Sequence, residues 1–355
     1  MVTTFFNNNP SIVKSIDQTE SPTILQDSFS RIARKLRISV TDKCNMKCIY
    51  CMPNGNIKWI DNKEILSFKE IIRIVSIFTN LNVTKIRLTG GEPLLRPSIE
   101  NLIRDLIKIQ NIESISMTTN GFLLEEKIDQ LKSAGLTSLN ISLDTFREER
   151  FRTLNGISNL NKVLRSIQKA SELGLKIKIN TVIIRNWNDD EIINFVKFAK
   201  DTGITVRFIE FMPLDGSGIW NYNLVVTKKE IIKIIESNFH NVISLDKTNS
   251  CPSDPATVYN FDDGKAKIGF IPSITEPFCS NCDRIRLTSD GRFLTCLFEK
   301  EGYDLKKMIR NVKATDQEIM DYIVNCYKKK PEGIVELIRI NELRPTLNLM
   351  HTIGG

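Results

Sequence analysis

The chain has 355 residues, of which 41% are hydrophobic and 26% are charged, and its formal net charge is +7. These values are ordinary for a globular protein, and no apolar run reaches the roughly 20 residues of a bilayer-spanning helix. The Lys and Arg residues are scattered, which argues against a nucleic-acid surface. Only two histidines, His240 and His351, are present, which excludes chemistry that needs several imidazoles.

The first 28 residues lack the apolar core of a signal peptide and the Arg-rich, acid-poor bias of a transit peptide. Their polar composition predicts a disordered tail, and a cytoplasmic location is expected for the rest. We expect a large domain over residues 29–245, a smaller and less regular domain over 246–340, and a C-terminal tail over 341–355.

Short β-rich segments alternate with longer segments of helical period between Arg31 and Phe211. Six strands are predicted: Leu36 to Val40, Lys85 to Thr89, Ser114 to Thr119, Ser138 to Leu143, Lys176 to Ile184 and Thr205 to Phe211. Amphipathic segments such as FKEIIRIVSIF and LNKVLRSIQKASELG lie between them. This alternation predicts an α/β fold with a parallel sheet and right-handed crossovers, either open or curled toward a barrel.

Unusual residues follow several of these strands, at the edge where ligands gather in parallel α/β folds. Cysteines follow the first strand, GGEP follows the second, TTNG follows the third, and Asp144 with Thr145 follows the fourth. The sequence therefore predicts a site at the carboxyl edge of the sheet.

Cys44, Cys48 and Cys51 lie in CNMKCIYC with three and then two residues between them. Three such thiolates can hold three irons of a [4Fe-4S] cubane and leave the fourth iron open. The methionine end of S-adenosylmethionine can bind an open iron, after which an electron from the cluster can cleave the sulfonium. A zinc site or a set of packed cysteines is the alternative, but zinc needs a fourth ligand and no histidine is near.

Cys279, Cys282 and Cys296 form a second group, with two and then thirteen residues between them. The spacing alone fits zinc and iron–sulfur equally well, and Cys251 or Cys326 could add a fourth thiolate. The intervening Asp-Arg-Ile-Arg sequence puts two guanidinium groups on one face of a predicted strand, which suits bidentate phosphate recognition.

These motifs in this order resemble the molybdenum cofactor biosynthesis protein A family, the GTP 3′,8-cyclases of the radical S-adenosylmethionine superfamily. The resemblance extends from about Phe29 to Gly355 and rests on RIARKLRISVTDKCNMKCIYCMP, IRLTGGEPLLR, TTNG, LNISLDT, KINTV, RFIEFMP, FCSNCDRIRLTSDGRFLTCLF and the terminal IGG. It implies a six-stranded partial TIM-like barrel that carries one [4Fe-4S] cluster and S-adenosylmethionine. A smaller C-terminal domain would carry a second cluster that binds the guanine ring of GTP.

The implied reaction begins when a deoxyadenosyl radical removes hydrogen from carbon 3 of the GTP ribose. The substrate radical then attacks carbon 8 of guanine and yields 3′,8-cyclo-7,8-dihydro-GTP, the first intermediate toward the molybdenum cofactor. A companion protein that makes cyclic pyranopterin monophosphate and an electron-donating reductase are the implied partners. The oligomeric state is open, with a homodimer as one candidate.

The resemblance also assigns residues by motif. Both cysteine triplets become cluster ligands, and the residues implied to bind S-adenosylmethionine are Tyr50, Gly90 and Gly91, Ser142 and Met212. Those implied to bind GTP are Arg37, Arg87, Thr118, Lys178, Arg284, Arg286 and the backbone of Ile285. Arg286 and the terminal Gly354 and Gly355 are implied to assist the radical step.

Three features depart from the family pattern: the long N-terminal tail, Cys251 and Cys326. Cys251 could displace the substrate from the second cluster, although a free thiol is the simpler interpretation. Two other functions are less compatible with this sequence. A peptide-modifying enzyme of the same superfamily would carry more C-terminal cysteines, and a zinc-binding nucleic-acid module would need clustered basic residues with interleaved aromatics.

Overall fold

The computed structural model describes residues 23–52, 57–214, 218–239, 253–261, 266–340, 343 and 350–354. Cys251, Gly355, the expected domain boundary at residue 245 and most of the predicted N-terminal tail lie outside these ranges. Within them, none of the helices combines the length and the apolar character that crossing a bilayer requires.

The described residues form one mixed sheet of 11 strands. The strands are β1 (Lys35–Ser39), β2 (Lys85–Thr89), β3 (Ser114–Thr119), β4 (Ser138–Ser142), β5 (Lys176–Ile183), β6 (Thr205–Glu210), β7 (Thr257–Asn260), β8 (Lys267–Ile271), β9 (Arg284–Leu287), β10 (Arg292–Leu294) and β11 (Tyr303–Asp304). Their order is β11-β10-β9-β1-β2-β3-β4-β5-β6-β8-β7. All neighbours from β9 through β8 are parallel, and β7, β10 and β11 pair antiparallel.

In the part of the chain that the structure describes, eleven α-helical segments connect or follow the strands. They are α1 (Phe68–Asn80), α2 (Ile99–Leu106), α3 (Leu124–Ser133), α4 (Glu148–Asn155), α5 (Leu160–Glu172), α6 (Ile192–Thr202), α7 (Lys228–Asn238), α8 (Leu305–Lys307), α9 (Asp316–Tyr327), α10 (Ile334–Arg339) and α11 (Met350–Ile353). Capping boxes fix the first turns of α1, α7 and α9, where a Ser or Thr and the Glu three residues later bond each other's backbone N–H groups.

Helix α1 shows why these segments pack on the outside of the sheet. Its buried residues include Ile71, Ile74, Val75 and Phe78, which follow the spacing of one helical face. Strand residues that point toward the helices complete this core. Leu36 and Ile38, at alternate positions of β1, are fully buried. The intervening strand residues point to the other face of the sheet, where the site lies.

The six predicted strands are β1 to β6, in sequence order and parallel, which confirms the α/β prediction. The sheet is larger than six strands because the C-terminal segment adds β9 beside β1 and β8 beside β6. The segment expected as a smaller domain therefore continues the same sheet on both sides. At the N-terminus, Leu25 is fully buried, so packed structure begins before the expected boundary at residue 28.

Candidate active site

The inner face of the sheet encloses a cavity of about 560 Å³, a volume within the range of small-molecule sites. Its walls come from all of the parallel strands, and its lining includes six of the predicted substrate residues: Arg37, Arg87, Thr118, Lys178, Arg284 and Arg286. Met212 and the cysteines of the second group also line it. Ile285 points the other way and is fully buried in the core, so only its backbone can face a ligand.

Strand register explains why the cations meet. Arg37 is the register partner of Arg87 on one side and of Arg286 on the other. Burial and the neighbouring guanidinium groups hold the pKa of Arg37 well below its usual value, and burial together with Arg284 lowers the pKa of Arg286 to about 10. Crowded buried cations repel one another unless an anion enters, so the cavity favours a polyanionic ligand.

Arg207 is a cavity residue that the motif assignment missed. It is 7% exposed, its Nη2 donates to Asn140 Oδ1 at 2.7 Å, and its Nε has no partner among the described residues. Burial and Arg87 lower the pKa of Arg207 to about 9. Gly269 leaves room for the side chain, since a Cβ there would lie 2.8 Å from Arg207 Cγ. The signal that could have found Arg207 is a cation flanked by apolar residues in a strand, whereas Lys178 was assigned from the family resemblance.

Asp254 is the one carboxylate among the described residues that line the cationic cavity. It accepts a hydrogen bond from Lys35 Nζ at 2.8 Å, and Lys35 also pairs with Asp283 at 3.1 Å. Burial acts to raise the pKa of Asp254, but Lys35, Lys178 and Arg207 more than offset it, so the pKa is lowered. Asp254 lies in the loop before β7, and no sequence motif marks it.

The second cysteine group is held from several directions. Gly333 has no side chain, and a Cβ there would lie 2.8 Å from Cys279 Sγ, which also accepts backbone N–H groups at the start of α10. Buried Arg31 donates to the Cys279 carbonyl oxygen at 3.1 Å. Burial of Cys282 opposes ionisation, but Arg284 and Lys330 more than offset it, and the pKa of this thiol falls to about 6.

The first cysteine group lies on the loop after β1. Burial and Glu92 raise the pKa of Cys44 to about 11, and burial and Cys44 raise the pKa of Cys51 to about 12. Burial and the other two sulfurs also raise the pKa of Cys48 well above its usual value. Three thiolates this close to one another need a cationic partner, which metal ions supply.

Among the described residues, no three His, Cys, Asp or Glu side chains converge on a position where they could hold one metal ion. A cubane distributes its thiolates over different irons, so its ligands surround a larger body. Both triplets fit such a cluster, because each supplies three free thiols. Backbone N–H groups also point at the sulfurs, for example Met46 N–H at 3.4 Å from Cys44 Sγ. Cys326 lies apart, buried in α9 beside Tyr322.

The GGEP loop packs against the first cysteine loop through its backbone. Gly91 N–H donates to Thr41 O at 2.8 Å, and a Cβ on Gly90 would lie 2.5 Å from the same oxygen. Glu92 is fully buried, accepts from Thr119 Oγ1 at 2.7 Å, and has a pKa raised to about 7 by burial. The glycine pair thus allows the two loops to approach closely.

Tyr50 points from the cysteine loop to Asp144 after β4, and its hydroxyl donates to the Asp144 carboxylate. The other Asp144 oxygen accepts Val182 N–H at 2.9 Å, which ties Tyr50 to β5. Ser142 is the last residue of β4, and Met212 follows β6 and lines the cavity. The predicted S-adenosylmethionine residues therefore lie at the carboxyl edges of the parallel strands.

The described end of the C-terminal tail, residues 350–354, contacts the first cysteine loop and also Arg286. The backbone N–H of His351 donates to Cys51 Sγ, whereas Arg286 donates to the carbonyl oxygens of Ile353 and Gly354. Met350 lines the cavity. Of the three predicted catalytic residues, Arg286 and Gly354 are thus in direct contact, and Gly355 lies outside the described residues.

Comparison with known proteins separates the candidate functions. Residues 38–199 match the model of the Radical SAM superfamily, and residues 204–335 match that of Molybdenum Cofactor Synthesis C. A GTP 3′,8-cyclase of Thermodesulfovibrio yellowstonii is 40% identical over 93% of this chain and 100% of the relative. The chain belongs to the GTP 3′,8-cyclase family. Another cyclase of this family, from Aquifex aeolicus, is 40% identical over 89% of this chain and 95% of its own.

Solved structures agree with the cyclase family on fold. SuiB of Streptococcus suis bound to S-adenosylmethionine has a TM-score of 0.57 at 15% identity, and the match covers 85% of this chain and 66% of SuiB. The anSMEcpe enzyme with AdoMet and a Cp18Cys peptide has a TM-score of 0.50 at 18% identity, with 82% of this chain and 83% of its own covered. At such low identities the structural similarity shows the fold alone, and the cyclase family rests on the sequence relatives.

Proposed function

We propose that the protein converts GTP to 3′,8-cyclo-7,8-dihydro-GTP, the first step of molybdenum cofactor biosynthesis, with S-adenosylmethionine and two [4Fe-4S] clusters as cofactors. The observation that carries the proposal is the cavity, in which Arg37, Arg87 and Arg286 meet a second cysteine group on the inner face of a radical SAM sheet. The cations suit a triphosphate, and the cysteines suit a metal centre that faces the base.

The first cysteine group would hold the cluster that binds S-adenosylmethionine. When bound, this pair of cofactors supplies a 5′-deoxyadenosyl radical, which can remove the ribose hydrogen at carbon 3′. Asp144 fixes the Tyr50 hydroxyl, and Met212 borders the cavity. These residues would orient the cofactor toward the substrate, because their strand edges face the same interior.

The cationic walls position GTP. A ring closure between carbon 3′ and carbon 8 requires the ribose and the base to be held in one orientation, and fixed charges on rigid strands provide this. Arg284 is held against the Phe278 ring at 4.4 Å, which directs its guanidinium into the cavity beside the second cysteine group. Arg286 donates to the Ile353 carbonyl oxygen and so holds the tail at the same region, where the tail would shield the reacting carbons from water.

The partners follow from the chemistry. An electron-donating reductase is needed because S-adenosylmethionine cleavage consumes an electron. The cyclised product retains its triphosphate, whereas cyclic pyranopterin monophosphate carries a single phosphate. A companion enzyme would therefore make this second conversion.

A test uses GTP deuterated at carbon 3′. Reduced protein with S-adenosylmethionine should form 5′-deoxyadenosine that carries the deuterium, and only when GTP is present. Deoxyadenosine that lacks deuterium and forms equally well without GTP would reject the cyclase activity and leave the superfamily assignment in place.

A further inference from the structure

Lys330 is a buried lysine directly beside the second cysteine group. It follows α9 and is only 2% exposed. Its Nζ donates to the carbonyl oxygens of Cys282 at 3.2 Å and Arg284 at 3.0 Å, and lies 3.7 Å from Cys282 Sγ. The Tyr327 ring centroid is 5.1 Å away. A buried ammonium is costly unless it is paired, so these contacts account for its position.

The positive charge of Lys330 lies against the sulfur of Cys282. Within the described ranges, its hydrogen-bond partners are two carbonyls, the Tyr327 hydroxyl and a sulfur, and none is a carboxylate. The Cys282 thiolate, when it ligates a metal, is therefore the anion in direct contact with this ammonium. Such charge-assisted contacts are stronger than neutral hydrogen bonds.

The three sulfurs of the group differ in what they accept. Cys279 Sγ accepts backbone N–H groups of Ile334 and Val335, and Cys296 Sγ accepts the backbone N–H of Phe298. Cys282 Sγ accepts N–H groups from the backbone and the side chain of Arg284, and alone among the three sulfurs it also has a lysine ammonium within hydrogen-bond distance. A full charge in a dry site acts on a redox centre more strongly than a backbone dipole does.

We propose that Lys330 is a positioning residue that sets the reduction potential of the cluster held by Cys279, Cys282 and Cys296. The inference rests on the proposed function, because it requires a cluster at that site. A nearby positive charge stabilises the more negative, reduced form of a cluster, so Lys330 raises the potential. Its bonds to the Cys282 and Arg284 carbonyls also fix the start of β9.

The experiment uses the full chain in which Cys44, Cys48 and Cys51 are replaced by Ala, so that only the second cluster can form. Iron content and EPR-monitored redox titration are measured for this background and for added Lys330→Gln, Lys330→Met and Lys330→Arg. Lys328→Met, at an exposed lysine two residues earlier, is the matched control. Neither readout depends on turnover.

The background should bind about four irons per chain. Lys330→Gln and Lys330→Met should retain iron and shift the midpoint potential downward, whereas Lys330→Arg and Lys328→Met should keep the background value. If Lys330→Met loads no iron, the midpoint potentials of Lys330→Gln and Lys330→Arg are compared instead, and their difference tests whether the charge sets the potential.

Three results would overturn the proposal: an unchanged potential in Lys330→Gln, the same shift in Lys330→Arg, or loss of iron from Lys330→Arg. A background protein without an iron–sulfur signal would instead reject the second cluster itself, and with it the role of Lys330. The two failures are therefore distinct.

Discussion

Arg286 Nη1 donates to the backbone carbonyl oxygen of Ile353 at 3.2 Å. The bond joins β9, at the cavity wall, to a tail whose His351 N–H reaches Cys51 of the first cysteine group. The tail thus connects the region proposed for S-adenosylmethionine with the region proposed for GTP. A contact that spans both regions can order the active site only while the tail is docked.

The first prediction concerns Gly354, which has φ +75° and lies against Thr89. A Cβ at this position would collide with Thr89 Oγ1, and an alanine would also pay about 1–2 kcal/mol for a left-handed backbone. Gly354→Ala should therefore undock the tail and lower the rate of GTP conversion about tenfold or more. Hydrogen exchange of residues 350–354 should rise in parallel.

The control for this prediction is a double variant. Thr89→Ala removes the clashing hydroxyl, so Gly354→Ala with Thr89→Ala should recover part of the lost activity and of the exchange protection. Full activity in Gly354→Ala alone would show that tail docking does not support the reaction.

A second prediction concerns Arg286 as a cavity cation. Its removal should weaken GTP binding about 100-fold, because truncating one partner of a buried charge pair costs about 2–5 kcal/mol. Arg286→Ala should also abolish turnover, while the iron content stays that of the wild type. Calorimetric GTP titration of the anaerobic protein measures the first effect. Arg292→Ala, on the exposed side of the adjacent β10, should bind GTP normally; equal binding by both variants would remove Arg286 from the site.

A third prediction follows from Asp254, the carboxylate in the cationic cavity. Because it repels phosphate and occupies Lys35, Asp254→Asn should bind GTP about tenfold more tightly, equivalent to about 1.4 kcal/mol. Inorganic triphosphate should gain affinity in the same direction. Asp316→Asn removes an outer carboxylate that pairs with Arg73 and should change neither affinity. Weaker GTP binding in Asp254→Asn would mean that the carboxylate assists the substrate.

The sequence was informative wherever a short-range pattern determined the structure. The strands β1 to β6 follow from alternation, and the cysteine triplets follow from spacing. Arg37 and Lys178 came from the family resemblance, because alternation alone does not say whether a cation faces the cavity or water. Arg207 obeyed the same alternation and could have been found. Asp254 and Lys330 could not, because their partners are 219 and 48 residues away in the sequence and depend on how β8 and β9 join the sheet.

A fourth prediction concerns the ion pair between Arg310 of the C-terminal segment and Glu70 of α1. Glu70 on α1 accepts two hydrogen bonds from Arg310, at 2.6 and 3.0 Å. The Arg310 bonds are the main reason that the pKa of Glu70 falls from 4.5 to about 2. Because the folded-state pKa is lowered, the pair stabilises the fold above about pH 4.5 and loses this contribution as the pH falls toward 2.

Glu70→Gln should lower the unfolding free energy at pH 7 by about 1–3 kcal/mol, and the difference from the wild type should shrink as the pH approaches 3. Thermal unfolding at several pH values measures both. Glu64→Gln, which breaks an exposed pair with Lys306, should have little effect because water screens that pair. A difference for Glu70→Gln that does not depend on pH would contradict the ion-pair explanation.

The reaction proposed for this cavity joins carbon 3′ of GTP to carbon 8. Its most direct test is an anaerobic single-turnover reaction of reduced protein with S-adenosylmethionine and GTP, followed by NMR of the purine carbon-8 proton. We predict that this signal moves from the aromatic region to that of a saturated carbon, in step with 5′-deoxyadenosine formation. An aromatic carbon-8 signal that stays intact while deoxyadenosine accumulates would contradict the account.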